Sequence, residues 1–232
     1  MYFVHEIHSL TSGGADAFET TLRDRWVPAL ARERGARLVW CVRSMPGGIS
    51  APELITLTAV ADGQALAGLG DRVRDGDLRD DADALGKGRV SVTRRVLAPL
   101  ELFNPLQIDL DSLPLELVDG PSEMYIHDFV PPRIGMQRTY EVAMRDQFMT
   151  YIEREDIPIV IWAGLETVAG GGPVPESLMI SHIRNPAAAT NLLWHSNPRE
   201  AIQPGTWLWD ALKVRDTWRS RLVRTVPWSP TR

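Results

Sequence analysis

The sequence predicts an α+β protein built from two tandem copies of one β-α-β-β-α-β unit, and three observations carry that prediction. The first is an internal repeat. Val4-His5-Glu6-Ile7 returns as Ile126-His127-Asp128-Phe129, and an offset of 122 reads without a gap as far as Trp40 and Trp162. Along it Gly13 meets Gly135, and the helical stripe Phe18, Leu22, Trp26, Leu30 meets Tyr140, Met144, Phe148, Ile152. A repeat at fixed period outranks other sequence signals. The second is the order of elements, which is ferredoxin-like. The third is that such a sheet carries helices on one face and leaves the other bare, and a bare face must be covered. Two fused copies packed sheet to sheet satisfy both, as a fused α+β barrel whose interior is a natural pocket.

Each element follows from local pattern. Residues 2–9 are β-branched, aromatic and aliphatic and stop at Thr11-Ser12-Gly13-Gly14, a strand followed by a turn. Residues 15–34 carry the every-fourth-residue stripe of a helix, with Pro28 expected to kink it and Gly35 to stop it. Residues 37–43 make the second strand, and Met45-Pro46-Gly47-Gly48 its turn. Residues 54–60 alternate aliphatics with threonines, as a strand with one wetter face does. Residues 62–85 read as a helix interrupted near Gly76, and 89–97 as the fourth strand. The first unit is thus 1–103, the Pro-containing stretch 104–122 a linker, and 123–232 the second unit. There the pattern predicts strands 124–130, 157–165, 177–183 and 221–228 and a helix 137–155, with a one-sided Trp207, Ala211, Val214, Trp218 stripe before the last strand.

Composition bounds the function. A chain of 232 residues with 44% hydrophobic and 24% charged residues can build a sizeable core. A net charge of −5 argues against a nucleic-acid partner. No apolar run reaches the roughly 18–20 residues of a membrane helix. The N-terminus shows no basic region or cleavage site of a signal peptide. The single cysteine, Cys41, excludes an internal disulfide, fits a reducing compartment and makes the cytoplasm the expected location.

Several motifs resemble one family. His5-Glu6-Ile7-His8-Ser9-Leu10-Thr11 before Gly13 resembles the opening strand of the NIPSNAP family, with His5 and His8 departing from its usual tyrosine and arginine. Trp26-Val27-Pro28-Ala29-Leu30 before Gly35 resembles its helix exit. Leu97-Ala98-Pro99-Leu100 with Asn104-Pro105-Leu106, and Val226-Pro227-Trp228-Ser229-Pro230, resemble its Pro-rich tail. The resemblance implies the dimeric α+β barrel superfamily, which also holds cofactor-independent monooxygenases, polyketide cyclases, Dabb proteins and haem-binding chlorite dismutases.

The candidate chemistry centres on four residues. Strand alternation with Ile7 and Phe129 packed on the helices would point Glu6, His8 and Asp128 between the sheets. A carboxylate there would have a raised pKa and could act as acid or base, unless it pairs with a neighbour such as Arg43. His182 stands where the first copy has Ala59 or its neighbour, an asymmetry that suits a proton carrier kept in one half. Glu6, His8, Asp128 and His182 form the expected acid–base set. Trp40 and Trp162 would shape an apolar pocket together with Arg43. His5 and His127 would lie on the helix side, as core histidines or as a pair at the pocket rim.

Other features exclude alternatives. His5 and His8 point to opposite faces of a strand and cannot chelate one metal. Gly170-Gly171-Gly172 precedes no helix and reads as a turn rather than a phosphate cradle. His195 reads as a surface or capping residue and Cys41 as inert. The expected protein is a cofactor-independent enzyme doing acid–base chemistry, by cyclisation, isomerisation, lyase step or oxygenation, on a small apolar carbonyl-containing or polyketide-like metabolite in the barrel. The alternatives are a haem protein and a non-catalytic ligand-binding or scaffold protein. No metal is expected, and a homo-oligomer is compatible with the reading.

Overall fold

The computed structural model describes residues 1–45, 52–152, 158–170, 175–189, 203–216 and 219–231. The chain divides into two compact units. The first comprises Met1–Ala98, Ile108–Ser122 and Val223–Arg232, the second Pro99–Gln107 and Glu123–Leu222.

In the first unit, strands β1 (Tyr2–Leu10), β2 (Ala36–Ser44), β3 (Glu53–Val60) and β4 (Arg89–Pro99) pair in the order β4-β1-β3-β2, all antiparallel. Residues Val223–Ser44 and Thr225–Val42 continue that sheet through the end of β8 (Arg219–Thr225). In the second unit, β5 (Met124–Val130), β7 (Ser177–Ile183) and β6 (Ile159–Ala169) pair antiparallel in the order β5-β7-β6. These spans lie within a few residues of those expected. The acidic stretch folds as two helices, Gly63–Arg74 and Arg79–Lys87, broken at Gly76 as expected. The side chain of Asp62 caps the first by accepting from the Ala65 N–H. The expected helix around Trp207 is only the turn Trp207–Asp210 continued by a 3-10 turn Ala211–Lys213. Trp207 still packs on Tyr140 and Phe148. Trp218, His195 and most of both glycine turns lie outside the described residues.

The helix over residues 15–30 has a π-helical middle turn, Leu22–Trp26, and the helix over residues 137–152 has one at Met144–Phe148. The sequence predicts a kink from Pro28. Thr150 occupies the corresponding place in the second helix, where the same π turn forms without a proline, so the widened turn is not the proline's doing. It accommodates Pro28 instead, because the N–H that proline lacks has no standard turn to complete. Thr150 turns its hydroxyl back to the Asp146 carbonyl at 3.1 Å.

Strand faces are the main correction. Val4 packs with Ala29 and Leu30 of the first helix, and Leu10 with Phe18 and Leu22. Ile126 and Val130 pack with Tyr140 and Met144. Glu6, His8 and Asp128 share those strands' parity and therefore face the helices, not the opposite side. His5 and His127, both fully buried, lie on the face away from the helices. The reason is physical: β1 has large apolar residues on both faces, Phe3 and Ile7 on one, Val4 and Leu10 on the other. Alternation cannot say which face is which when both are buried.

The repeat register also shifts. In β2, Leu38 pairs with Thr58 and Trp40 with Leu57, around a bulge at Val39. In β6, Ile161 pairs with Ser181 and Ala163 with Ile180, around a bulge at Trp162. The equivalent of Trp40 is thus Ala163, and Trp162 matches the bulged Val39. The offset between the copies therefore becomes 123 before the second strand, earlier than a gapless 122 as far as Trp40 and Trp162 expects.

Candidate functional site

Three clusters of polar side chains are built by these strands. In the first unit, Glu6 and His8 of β1, Thr56 and Thr58 of β3 and Arg89 and Arg94 of β4 surround a cavity of ≈ 40 Å³ beneath the helices. Leu22, Trp26 and Leu85 close its apolar side. Glu6 and Arg94 are directly opposed across β1 and β4, and the Glu6 Oε1 accepts from Arg94 Nη2 at 2.7 Å and Nε at 2.9 Å. The expected partner Arg43 instead donates to Glu19 on the first helix, at 2.8 Å from its Nε, and is exposed. His8 lies 3.4 Å from Arg89 Nη1 through its Nδ1 and 3.3 Å from Thr56 Oγ1 through its Nε2, with its ring against Phe18. Burial lowers the His8 pKa to about 4, with Glu6 opposing the shift, so the ring is neutral. A guanidinium can only donate. Nδ1 is therefore the acceptor, and Nε2 carries the hydrogen that goes to Thr56.

In the second unit, Asp128 sits on the helix side with Ser220, Arg215 and Tyr140. Burial pushes its carboxyl up to about 6, while a hydrogen bond from Ser220 and the charge of Arg215 pull the other way. Its Oδ1 is buried without a hydrogen-bond partner. The same burial raises the Tyr140 phenol and lowers the Arg215 guanidinium from their ordinary values.

His182 lies on the other face of that sheet. It pairs across the strands with Tyr125, and their rings are 5.0 Å apart. Its Nε2 is 3.3 Å from Glu123 Oε2, and its side chain is 26% exposed, enough to meet a solute. Trp162 stands edge-on to Tyr125 at 6.0 Å. Burial raises the Tyr125 phenol, with Glu123 adding to the shift, so the hydroxyl stays a neutral donor. His182 and Tyr125 correspond to Ala59 and Phe3 of the first unit, which pair in the same way.

The expected acid–base set therefore divides. Glu6 and His8 do share a cavity. Asp128 and His182, expected to belong to one acid–base set, stand on opposite faces of the β5–β7 pair, because Asp128 opposes Met179 and His182 opposes Tyr125. Trp40 is fully buried and, with His5 and Leu57 across the strands, sits on the face opposite the Glu6 cavity. His127 is likewise fully buried beside Phe129. Sequence reasoning missed Glu123, Tyr125, Arg89 and Arg94. Arg94 was legible in principle, since an antiparallel β1–β4 register opposes it to Glu6. Burial pushes the Cys41 thiol up, so it stays protonated, as its lack of a nearby activating group suggests. Among the described residues no three His, Cys, Asp or Glu side chains gather as metal ligands, and no helix is long and apolar enough to cross a membrane.

Comparison with solved structures finds proteins that share this fold along nearly their whole length. A candidate monooxygenase from Lactobacillus acidophilus aligns over 96% of this chain and 93% of its own, at 11% identity and a TM-score of 0.56. An anthrone oxidase-like protein aligns over 97% and 91%, at 12% identity and a TM-score of 0.58. DypB of Rhodococcus jostii, solved in complex with heme, aligns over 96% and 92%, at 13% identity and a TM-score of 0.52. No protein-family model matches the sequence, and no curated protein matches it.

Proposed function

We propose that the chain is a cofactor-independent enzyme performing acid–base chemistry on a small apolar carbonyl-containing or polyketide-like metabolite, with oxygenation the favoured reaction. The observation that carries this reading is the His182–Glu123 pair, partly open to solvent, with the ring of Tyr125 5.0 Å from the imidazole and Trp162 edge-on to that ring. Imidazole suits proton transfer near neutral pH, and a carboxylate fixes its orientation. His182 would take the proton α to the carbonyl, and Glu123 would hold the imidazolium. The likeness to an anthrone oxidase-like protein supports an activated carbon acid as substrate. The reading extends to a NIPSNAP-type ancestry and to two tandem ferredoxin-like units.

Anthrone in aerated buffer is the test substrate. Proton removal followed by reaction with O₂ gives anthraquinone and water, so oxygen uptake and the quinone absorbance report one turnover each. Wild type should turn over, and His182→Gln should lose most of the activity, roughly 100-fold or more for a general base. Equal rates in the two proteins would overturn the assignment of His182.

A haem protein is the second reading, prompted by the likeness to DypB. Neither His8 nor His182 offers a free Nε2 for it. Both ring nitrogens of His8 are engaged, beside a cavity of only ≈ 40 Å³, and the Nε2 of His182 faces Glu123. An absorption spectrum of the purified protein separates the readings, since a Soret band would favour haem.

A further inference from the structure

We infer that the cavity beneath the helices of the first unit is a binding site for one small monovalent anion, of halide to nitrate size. The inference is independent of the reading of His182. Its basis is a charge count that does not close. Among the side chains lining the cavity, Glu6 is matched by Arg94 through two hydrogen bonds. His8 is neutral. Arg89 remains, and its one polar contact among the described residues is the Nδ1 of that neutral ring. The lining therefore carries one uncompensated positive charge in a half-buried setting, where a counter-charge is worth more than in bulk water.

The hydrogen-bond polarity points the same way. With Nδ1 accepting from Arg89, the His8 Nε2 donates to Thr56, and the Thr56 hydroxyl has its own hydrogen left to give. Thr58, on the same face two residues along β3, is 6% exposed and its hydroxyl has no partner among the described residues. Two hydroxyl donors and a guanidinium thus face one space, and the one carboxylate in it is already spoken for by Arg94. Donors without acceptors define an anion site. The volume sets the scale: ≈ 40 Å³ holds a few waters, at roughly 10–15 Å³ each, or a single small ion.

The site should bind chloride, and nitrate should compete. Chloride linewidth in chlorine NMR, at fixed ionic strength made up with gluconate, is the measurement. Wild type should show saturable excess broadening that nitrate removes. In Arg89→Met the apparent affinity should fall roughly tenfold or more, the size of one charge-assisted hydrogen bond. Thr58→Val tests the same site with little threat to folding, and should weaken binding while Arg89→Lys retains part of it. Trp26 lines the cavity, so iodide should quench its fluorescence in wild type more than in Thr58→Val. Absence of saturable broadening in wild type would overturn the inference. Saturable broadening unchanged in both Arg89→Met and Thr58→Val would overturn it too, by placing the anion elsewhere.

Discussion

Replacing Asp128 by asparagine should change stability in a way that depends on pH with a definite sign. The folded carboxyl titrates at about 6 against an ordinary value of 3.8. The folded protein therefore binds this proton more tightly than the unfolded chain does. Stability from this group is complete below pH 3.8 and is lost as pH rises through about 6. A displacement of that size corresponds to about 3 kcal/mol at 1.36 kcal/mol per unit. Asparagine does not titrate, and its carbonyl can keep the Ser220 hydrogen bond. Its amide adds donors near the unpartnered Oδ1 position, which sets a constant offset but no slope. Urea unfolding of wild type and Asp128→Asn at pH 4 and pH 8 reads the difference. The variant should gain about 2.5 kcal/mol relative to wild type between the two values, because the unfolded carboxyl is already more than half ionised at pH 4. A difference that stays constant over that range would refute the reasoning, because it would mean that Asp128 is solvated as an ordinary carboxylate.

Three further outcomes follow from other parts of the chain. His8 behaves oppositely to Asp128: burial depresses it from 6.5 to about 4, so acidification between those values should cost up to about 3 kcal/mol, a slope that His8→Gln should lack in paired urea titrations. A methyl at Gly164 would lie 2.5 Å from the Phe103 carbonyl oxygen, so Gly164→Ala should destabilise by about 1–3 kcal/mol and lower the thermal midpoint. Arg94→Met should leave the Glu6 carboxylate, 12% exposed, without its partner and cost about 1–3 kcal/mol, with Glu6→Gln restoring much of the loss in the double variant.

Much of the fold was legible because the elements carry their own signals. The turn at Gly13, the paired helical stripes and the break at Gly76 each place an element within a few residues. The place of His182 opposite an alanine of the first half was legible for the same reason, as a difference between two copies of one pattern. The strand faces were not, since Phe3, Val4, Ile7 and Leu10 are all buried and period two has no polar side to mark. Nor was the burial of Asp128. Its equivalence to Glu6 was visible, yet one pairs with a strand-opposed arginine and the other sits among Ser220, Arg215 and Tyr140, far along the chain. Glu123 escaped notice because it stands just before β5, where nothing in the local pattern separates an ordinary loop acid from one that pairs with a histidine.

The ends of the two halves have a consequence for how the molecule can be cut. The segment that follows β4 belongs to the second unit, where the Leu100 N–H bonds the Gly164 carbonyl and Asn104 Oδ1 accepts from the Gly164 N–H. The segment that follows β8 belongs to the first, where the Val226 N–H bonds the Cys41 carbonyl and Ser229 Oγ accepts from the Cys41 N–H. Each half lends its tail to fasten the other's strand at the matching position. A fragment ending near residue 107 would bring a tail with nothing to fasten and a strand left unfastened. Gene fission at the midpoint would thus yield two pieces that are each incomplete, whereas a cut inside a surface loop of either unit would leave both exchanges intact. Separated halves would have to recombine to recover the native arrangement, a form of mutual dependence that ties the inheritance of one half to that of the other.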